Sequence, residues 1–308
     1  MKILITGGAG FIGSNLISKL LKQSYEIVVI DDLSTGKKEN LTAYLPKIEF
    51  IEGSILDKEK LERLFADYSL DLIIHLAAKA GVRASLENPT IFNEVNVLGT
   101  LNLLELSKKY KIKKFIFTSS SSVYGNNKKI PFSENDKIEM PISPYAASKR
   151  AGELYCFTYS HLFELNVTIL RLFTVFGPNN RRDMAHFLMT DSIFKGKPIK
   201  KFGDGTTSRD YTYIDDITEG FLKCLGKNFK FEIFNLGNSH TISLNQLIET
   251  LENTIEKKAV IENLPLQAGD VQQTFADISK AKKLLDWQPK TSYQQGVKKL
   301  IEWYKKTF

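Results

Sequence analysis

Residues 2–6 read as a short strand around the apolar Ile3-Leu4-Ile5, and the chain then runs Gly7-Gly8-Ala9-Gly10-Phe11-Ile12-Gly13 into a helical pattern that lasts to about Lys22. No other stretch narrows the possible folds so far. A strand that turns at once into a helix needs glycine where the backbone bends sharply or another backbone comes close, and the free N–H groups opening the helix then favour an anion. Glycines at 7, 10 and 13 have the spacing of a pyrophosphate-binding turn. A second apolar strand, Glu26 to Ile30, ends in Asp31-Asp32. A carboxylate at that strand tip accepts hydrogen bonds from ribose hydroxyls and repels a 2′-phosphate, so loop and acid together point to NAD rather than NADP.

The alternation continues. A third strand, Ile48 to Glu52, leads to Gly53-Ser54-Ile55, and a fourth, Asp71 to Leu76, ends in Ala77-Ala78-Lys79-Ala80-Gly81, small at all positions but Lys79. Pro89 to Tyr110 reads as one helix with Asn96 inside it, and Lys114 to Thr118 as a fifth strand. Strands alternating with helices predict an α/β fold with a doubly wound parallel (Rossmann) sheet. The expected division is an NAD-binding domain over residues 1–169, to which the chain returns at about 210–234, and a smaller C-terminal α/β substrate lobe from 170–209 and 235–308.

The chemistry is concentrated in Ser143-Pro144-Tyr145-Ala146-Ala147-Ser148-Lys149. Tyr145 and Lys149 are four apart at the start of a helix running to about His161, so both lie on one face. A neighbouring ammonium stabilises phenolate and would bring the phenol, ordinarily near ~10, toward neutrality as a usable base. The run Thr118-Ser119-Ser120-Ser121-Ser122-Val123-Tyr124-Gly125 ends the fifth strand, where its hydroxyls would face the same crevice. Composition excludes other classes. The 308 residues carry a net charge of +7, but the lysines are scattered over helix faces with no aromatic-interleaved basic stripe, which argues against a nucleic-acid partner. No apolar run reaches the ~18 residues that span a bilayer, and no leader-like segment opens the chain, so a cytoplasmic protein without a membrane partner is expected. Cys156 and Cys224 have no metal-ligand spacing and are expected to be reduced and buried; no metal is called for.

The glycine loop, the acidic tip of the second strand, the serine loop and Tyr-x-x-x-Lys together resemble the extended short-chain dehydrogenase/reductase family, and within it the NAD-dependent nucleotide-sugar epimerases and dehydratases. The resemblance spans nearly the whole chain and extends to Arg171–Pro178, Lys201–Gly205, Ser208–Asp216 and Ala268–Val271. It implies Ser120, Tyr145 and Lys149 as catalytic residues. NAD would be held by Gly7, Gly10, Phe11, Ile12, Gly13, Asp31, Asp32, Ser34, Thr35, Gly36, Ser54, Ile55, Leu76, Ala77, Ala78 and Asn96, with Tyr145 and Lys149. A UDP-sugar would meet Ser121, Ser122, Thr174 and Arg181 at the sugar, Phe202 at the uracil, Arg209 at the diphosphate and Asp270 at the uridine ribose. The resemblance also implies a homodimer built on paired helices that include the Tyr145 helix.

The departures are informative. Dehydratases carry Asp-Glu after the catalytic hydroxyl residue, where this chain has Ser121-Ser122, so the resemblance narrows to epimerisation at C4. Ser54 stands where an adenine-binding acid is common, and Gln267 where an arginine often meets the diphosphate. Ala80–Arg83 with Ser85–Pro89, Arg181–Ala185 and Gln267–Val271 are each similar to UDP-glucuronate 4-epimerases. Three hydroxyls and a guanidinium suit a carboxylate at C6. They also satisfy a neutral CH2OH, which keeps UDP-glucose/UDP-galactose and UDP-N-acetylhexosamine epimerases open, and beside them a net NAD-dependent dehydrogenase or reductase on a nucleotide sugar, or an NAD-binding regulator.

Overall fold

The computed structural model describes residues 1–265 and 271–308. The chain opens with β1 (Lys2–Thr6), α1 (Phe11–Leu21), β2 (Glu26–Asp31), β3 (Glu49–Glu52), α2 (Lys58–Asp67), β4 (Leu72–His75), α3 (Val82–Glu87), α4 (Pro89–Asn93), α5 (Gly99–Lys109), β5 (Lys114–Ser120), α6 (Pro144–Phe163) and β6 (Asn166–Leu172). It continues with β7 (Thr174–Phe176), α7 (Ala185–Lys195), β8 (Pro198–Phe202), β9 (Ser208–Tyr213), α8 (Ile214–Leu225), β10 (Phe231–Leu236), β11 (Thr241–Ser243), α9 (Leu244–Ile255), β12 (Val260–Leu264), α10 (Ser279–Leu285) and α11 (Tyr293–Thr307).

Seven strands form the central sheet in the order β10-β6-β5-β4-β1-β2-β3, with every neighbouring pair parallel. Near-continuous apolar strands are what such a sheet requires, because helices cover both faces. Successive residues divide accordingly: Ile3 and Ile5 join one core with Leu16, Ile17 and Val29, while Leu4 joins the other with Val28, Ile73, Leu103 and Phe115. The first of these cores runs on without a break into the C-terminal half through Phe176, Tyr213 and Trp287. There β11-β9-β7 form a three-stranded sheet and β12-β8 a two-stranded one, while β10 returns to the edge of the central sheet. Strand order reverses between β1 and β4, so a crevice opens at their carboxyl ends.

Pro89–Tyr110 is not the single regular helix expected. Between α4 and α5 the chain makes a π turn over Glu94–Leu98. The extra residue in that turn brings Asn96 inward, where its Oδ1 accepts the Lys79 N–H at 2.8 Å and its Nδ2 donates to the Lys79 carbonyl and Ser148 Oγ, both at 2.9 Å. Tertiary hydrogen bonds to the loop after β4 thus outweigh one turn of regular helix. Cys156 and Cys224 are free and buried. Among the described residues no helix is long and apolar enough to cross a membrane, and no group of metal-ligating side chains occurs.

Candidate active site

A cleft of about 1370 Å³ lies across the carboxyl ends of β1, β2, β4 and β5. That exceeds the ~300–1,000 Å³ usual for one small ligand and leaves room for two side by side. Its floor is backbone packed on backbone. Gly7 has φ +73°, and a Cβ there would lie 2.6 Å from the Ala77 nitrogen; one at Gly13 would lie 2.5 Å from the Gly7 oxygen. Gly10, at the N-cap of α1, has no side chain to cap it, so the first N–H groups of the helix face the cleft as an anion site that suits a pyrophosphate.

Asp31 lines the cleft with both oxygens already in use, Oδ2 accepting from Ala9 N and Oδ1 from Leu33 N, each at 2.9 Å. Burial pushes its carboxyl above the ordinary value against those two donors. Each carboxylate oxygen retains a further lone pair, so the group fits a ribose diol while also fixing the glycine loop. Gly10, Phe11, Ile12, Asp32, Ser34, Thr35, Ile55, Leu76, Ala77 and Ala78 line the same cleft. Gly36, Ser54 and Asn96 do not. Gly36 instead presses on the Ala9 backbone, Ser54 Oγ accepts from Leu56 N at 3.2 Å in a local turn, and Asn96 holds Lys79 from behind. Two contacts escaped the sequence reading: Lys79 Nζ reaches across to Ser34 Oγ at 2.8 Å, and Asn40 Nδ2 donates to the Ala9 carbonyl at 2.9 Å.

Further along the cleft, β5 delivers Ser120. Its Oγ accepts from Ser122 N at 3.1 Å and from Ser122 Oγ at 2.9 Å, which folds the serine loop into a tight turn beneath Ser121. Helix α6 starts where Ser143 caps Ala146 N at 3.1 Å with Pro144 in the first turn, and this fixes the side-chain direction of Tyr145. Phe92 meets the Tyr145 ring edge-on at 6.1 Å.

The electrostatics differ from expectation. Burial pushes the Tyr145 phenol up, and the groups that pull it back are Ser120 and the Arg181 guanidinium. Lys149 is 4% exposed and donates to the Thr118 carbonyl at 2.8 Å, while burial brings its own pKa down to about 8. An ammonium that is itself desolvated and turned to a carbonyl gives the phenol less help than helical spacing alone implies. One turn further along α6, buried Glu153 holds buried Arg171 of β6 through two bonds of 2.8 and 2.9 Å and accepts from Ser119 at 2.6 Å. Those bonds tie α6, β5 and β6 together directly behind the Ser120–Tyr145–Lys149 group. Its helical spacing from Lys149 was the available signal for Glu153.

Ser121, Ser122, Thr174, Arg181 and Arg209 also line the cleft. Arg181 forks onto Asp183, with Nε–Oδ1 at 3.0 Å and Nη2–Oδ2 at 2.5 Å, and Nη2 reaches the Ala80 carbonyl at 3.4 Å. Arg209 donates to the Ser208 carbonyl at 2.9 Å, and neighbouring Asp210 anchors its strand through backbone N–H groups of Asn238, Ser239 and Ala276. Phe202 is not a cleft wall: the Arg83 guanidinium lies over its ring, 5.1 Å from the centroid. Asp270 and Gln267 lie outside the described residues.

A family model described as the NAD dependent epimerase/dehydratase family matches residues 3–237. The chain belongs to that family. Over 310 residues it is 46% identical to a UDP-glucuronate 4-epimerase of Thermodesulfobacterium geofontis, covering 98% of this chain and 95% of the relative. Among solved structures, a UDP-glucuronic acid 4-epimerase from Bacillus cereus in complex with UDP-glucuronic acid and NAD superposes with a TM-score of 0.94 at 38% identity, covering 100% of both chains. A Thermotoga maritima UDP-glucose 4-epimerase with UDP-glucose gives the same TM-score and identity, covering 100% of this chain and 99% of that one. Epimerases of both sugars share this frame, so the frame does not decide between them.

Proposed function

We propose that the chain is an NAD-dependent UDP-sugar 4-epimerase whose substrate pair is UDP-glucuronate and UDP-galacturonate. The observation that carries the choice of sugar is Arg181, which shares the cleft with Tyr145, Ser121, Ser122 and Thr174 and exerts its charge on the Tyr145 phenol. NAD, when bound, supplies the acceptor for the C4 hydrogen and its return. Gly7, Gly10 and Gly13 hold its pyrophosphate and Asp31 its adenosine ribose, while Lys149 lies within the same cleft for the second ribose.

Tyr145, as phenolate, takes the proton of the sugar 4-hydroxyl, and Ser120 holds the same oxygen between its own partners. Arg181 and Ser120 offset part of the burial that opposes phenolate. The 4-keto sugar then turns about its diphosphate linkage and presents its other face, and Tyr145 gives the proton back, which leaves C4 inverted. Arg209 and residues of the C-terminal lobe hold the UDP through this turn, so the grip lies on the nucleotide and the sugar end stays free to rotate.

UDP-glucose is the second reading, favoured by the equal likeness to the Thermotoga enzyme. Incubation with UDP-glucuronate, UDP-glucose and UDP-N-acetylglucosamine, with products resolved by NMR, separates them; turnover of UDP-glucose alone would overturn the glucuronate assignment. The same reading makes the protein a cytoplasmic homodimer, supported by an exposed apolar strip on α6 comprising Leu154, Phe157 and Leu162. Sedimentation analysis tests the dimer.

A further inference from the structure

Arg181 already holds a carboxylate. We propose that Asp183 is a built-in rival of the substrate: it fills the guanidinium fork of Arg181 in the free protein and yields that fork to the carboxylate of an acidic sugar. The inference rests on the reading of Arg181 as the partner of the C6 group.

The geometry is that of a planar two-point pair, Nε to Oδ1 and Nη2 to Oδ2, which is the arrangement by which a guanidinium takes any carboxylate. Both residues line the cleft, so the fork and an incoming sugar meet in one place. Arg181 holds the Asp183 carboxyl below its ordinary value, so the rival is charged at neutral pH. The two partners differ in freedom. The Asp183 side chain is 65% exposed and that of Arg181 32%, and Arg181 keeps a second attachment at the Ala80 carbonyl. When the pair parts, Asp183 turns out to water with little loss of solvation while Arg181 stays at the cleft.

A carboxylate sugar that displaces Asp183 replaces like with like at Arg181 and preserves its charge-assisted bonds. A hydroxymethyl sugar cannot, so it binds beside the closed fork and draws nothing from Arg181. Asp183 therefore lowers the affinity of acidic sugars and leaves that of neutral ones nearly untouched. It acts by competition.

The test compares Asp183→Asn and Asp183→Ala with the wild-type enzyme on UDP-glucuronate and UDP-glucose. The expected result is a 3- to 10-fold lower KM for UDP-glucuronate in both variants, with kcat within about two-fold and the KM for UDP-glucose within about two-fold. In an Arg181→Met background the effect of Asp183→Asn should vanish, since there is no fork to contest. Thermal melts accompany each variant to exclude folding defects. An unchanged or raised KM for UDP-glucuronate in the Asp183 variants, with Arg181→Met still damaging, overturns the rival and makes Asp183 a prop for Arg181 while the sugar assignment stands. A wild-type enzyme that ignores UDP-glucuronate overturns that assignment, and the inference with it.

Discussion

The two ends of the cleft are built from different materials. At the end proposed for the dinucleotide the floor is backbone: glycines too close to their neighbours for any Cβ, an open helix start, and beside them a carboxylate whose oxygens already accept two main-chain N–H groups. The end proposed for the sugar is lined by side chains, the short hydroxyls of Ser121, Ser122 and Thr174 and longer groups that hold one another, with Arg181 on Asp183 and, just outside the cleft, Arg83 over Phe202. Backbone walls are set by the fold and can be changed only by deforming it. Side-chain walls can be exchanged one residue at a time. Equal likeness to epimerases of two different sugars is the expected result of that division.

The chemistry sits between the two ends and should be the most fragile. Tyr145→Phe keeps the ring and its contact with Phe92 but removes the proton acceptor, so turnover should fall ~100-fold or more with nucleotide binding nearly intact. Near-normal kcat would sink the proposed mechanism.

Acid should weaken both halves alike. His75 lies beneath the dinucleotide end between Thr6 Oγ1 at 2.7 Å and Thr100 Oγ1 at 2.9 Å, and His186 lies in the other half, 3.0 Å from the Tyr293 hydroxyl. Burial brings each down to about 3. Below about pH 6.5 the unfolded chain takes up protons that the folded one refuses, so stability is lost as pH falls from there toward 3, on the order of 2 kcal/mol per histidine by pH 5. Melting temperatures at pH 7 and pH 5 would measure the loss. His75→Gln, which can keep both threonine partners, should remove about half of it, and an unchanged acid sensitivity would show that His75 is not a source.

Gly7→Ala tests the backbone wall. With φ +73° and a Cβ 2.6 Å from the Ala77 nitrogen, the substitution should cost on the order of 1–3 kcal/mol of stability and expel bound dinucleotide. Wild-type melting and cofactor content in the purified variant would contradict the packing described. Arg181→Met tests the side-chain wall. Beyond a loss common to both substrates from removing its charge beside Tyr145, it should lower kcat/KM for UDP-glucuronate by a further ~10-fold relative to UDP-glucose, about 1.4 kcal/mol, without altering melting. If both substrates suffered equally, Arg181 would serve the cleft as a whole rather than the C6 group.

The same contrast explains what could be read from the chain. The glycine loop, the apolar strands and the acidic tip of β2 were legible because backbone geometry imposes residue types at fixed spacings. Tyr145 and Lys149 were legible as a helical pair, yet the sign of the electrostatics was not, since burial and the Thr118 carbonyl belong to other segments. Arg181 and Asp183 lie two apart in a loop, where no period fixes side-chain direction, and nothing in the sequence predicted their pairing. The four-residue step from Lys149 to Glu153 pointed inward, but its partner Arg171 comes from a different strand.

The π turn at Glu94–Leu98 makes the count of residues in this segment part of the site. Deleting one residue there would let the helix close regularly, with the helix after it kept in phase but the turn that carries Asn96 drawn in. Leu103, Leu104 and Ser107 would keep their place in the core, but Asn96 would lose either Lys79 or Ser148. A one-codon deletion that a surface loop would absorb without effect would here loosen the rim of the dinucleotide cleft and the helix carrying Tyr145 at once, so this stretch should tolerate substitutions far better than changes in length.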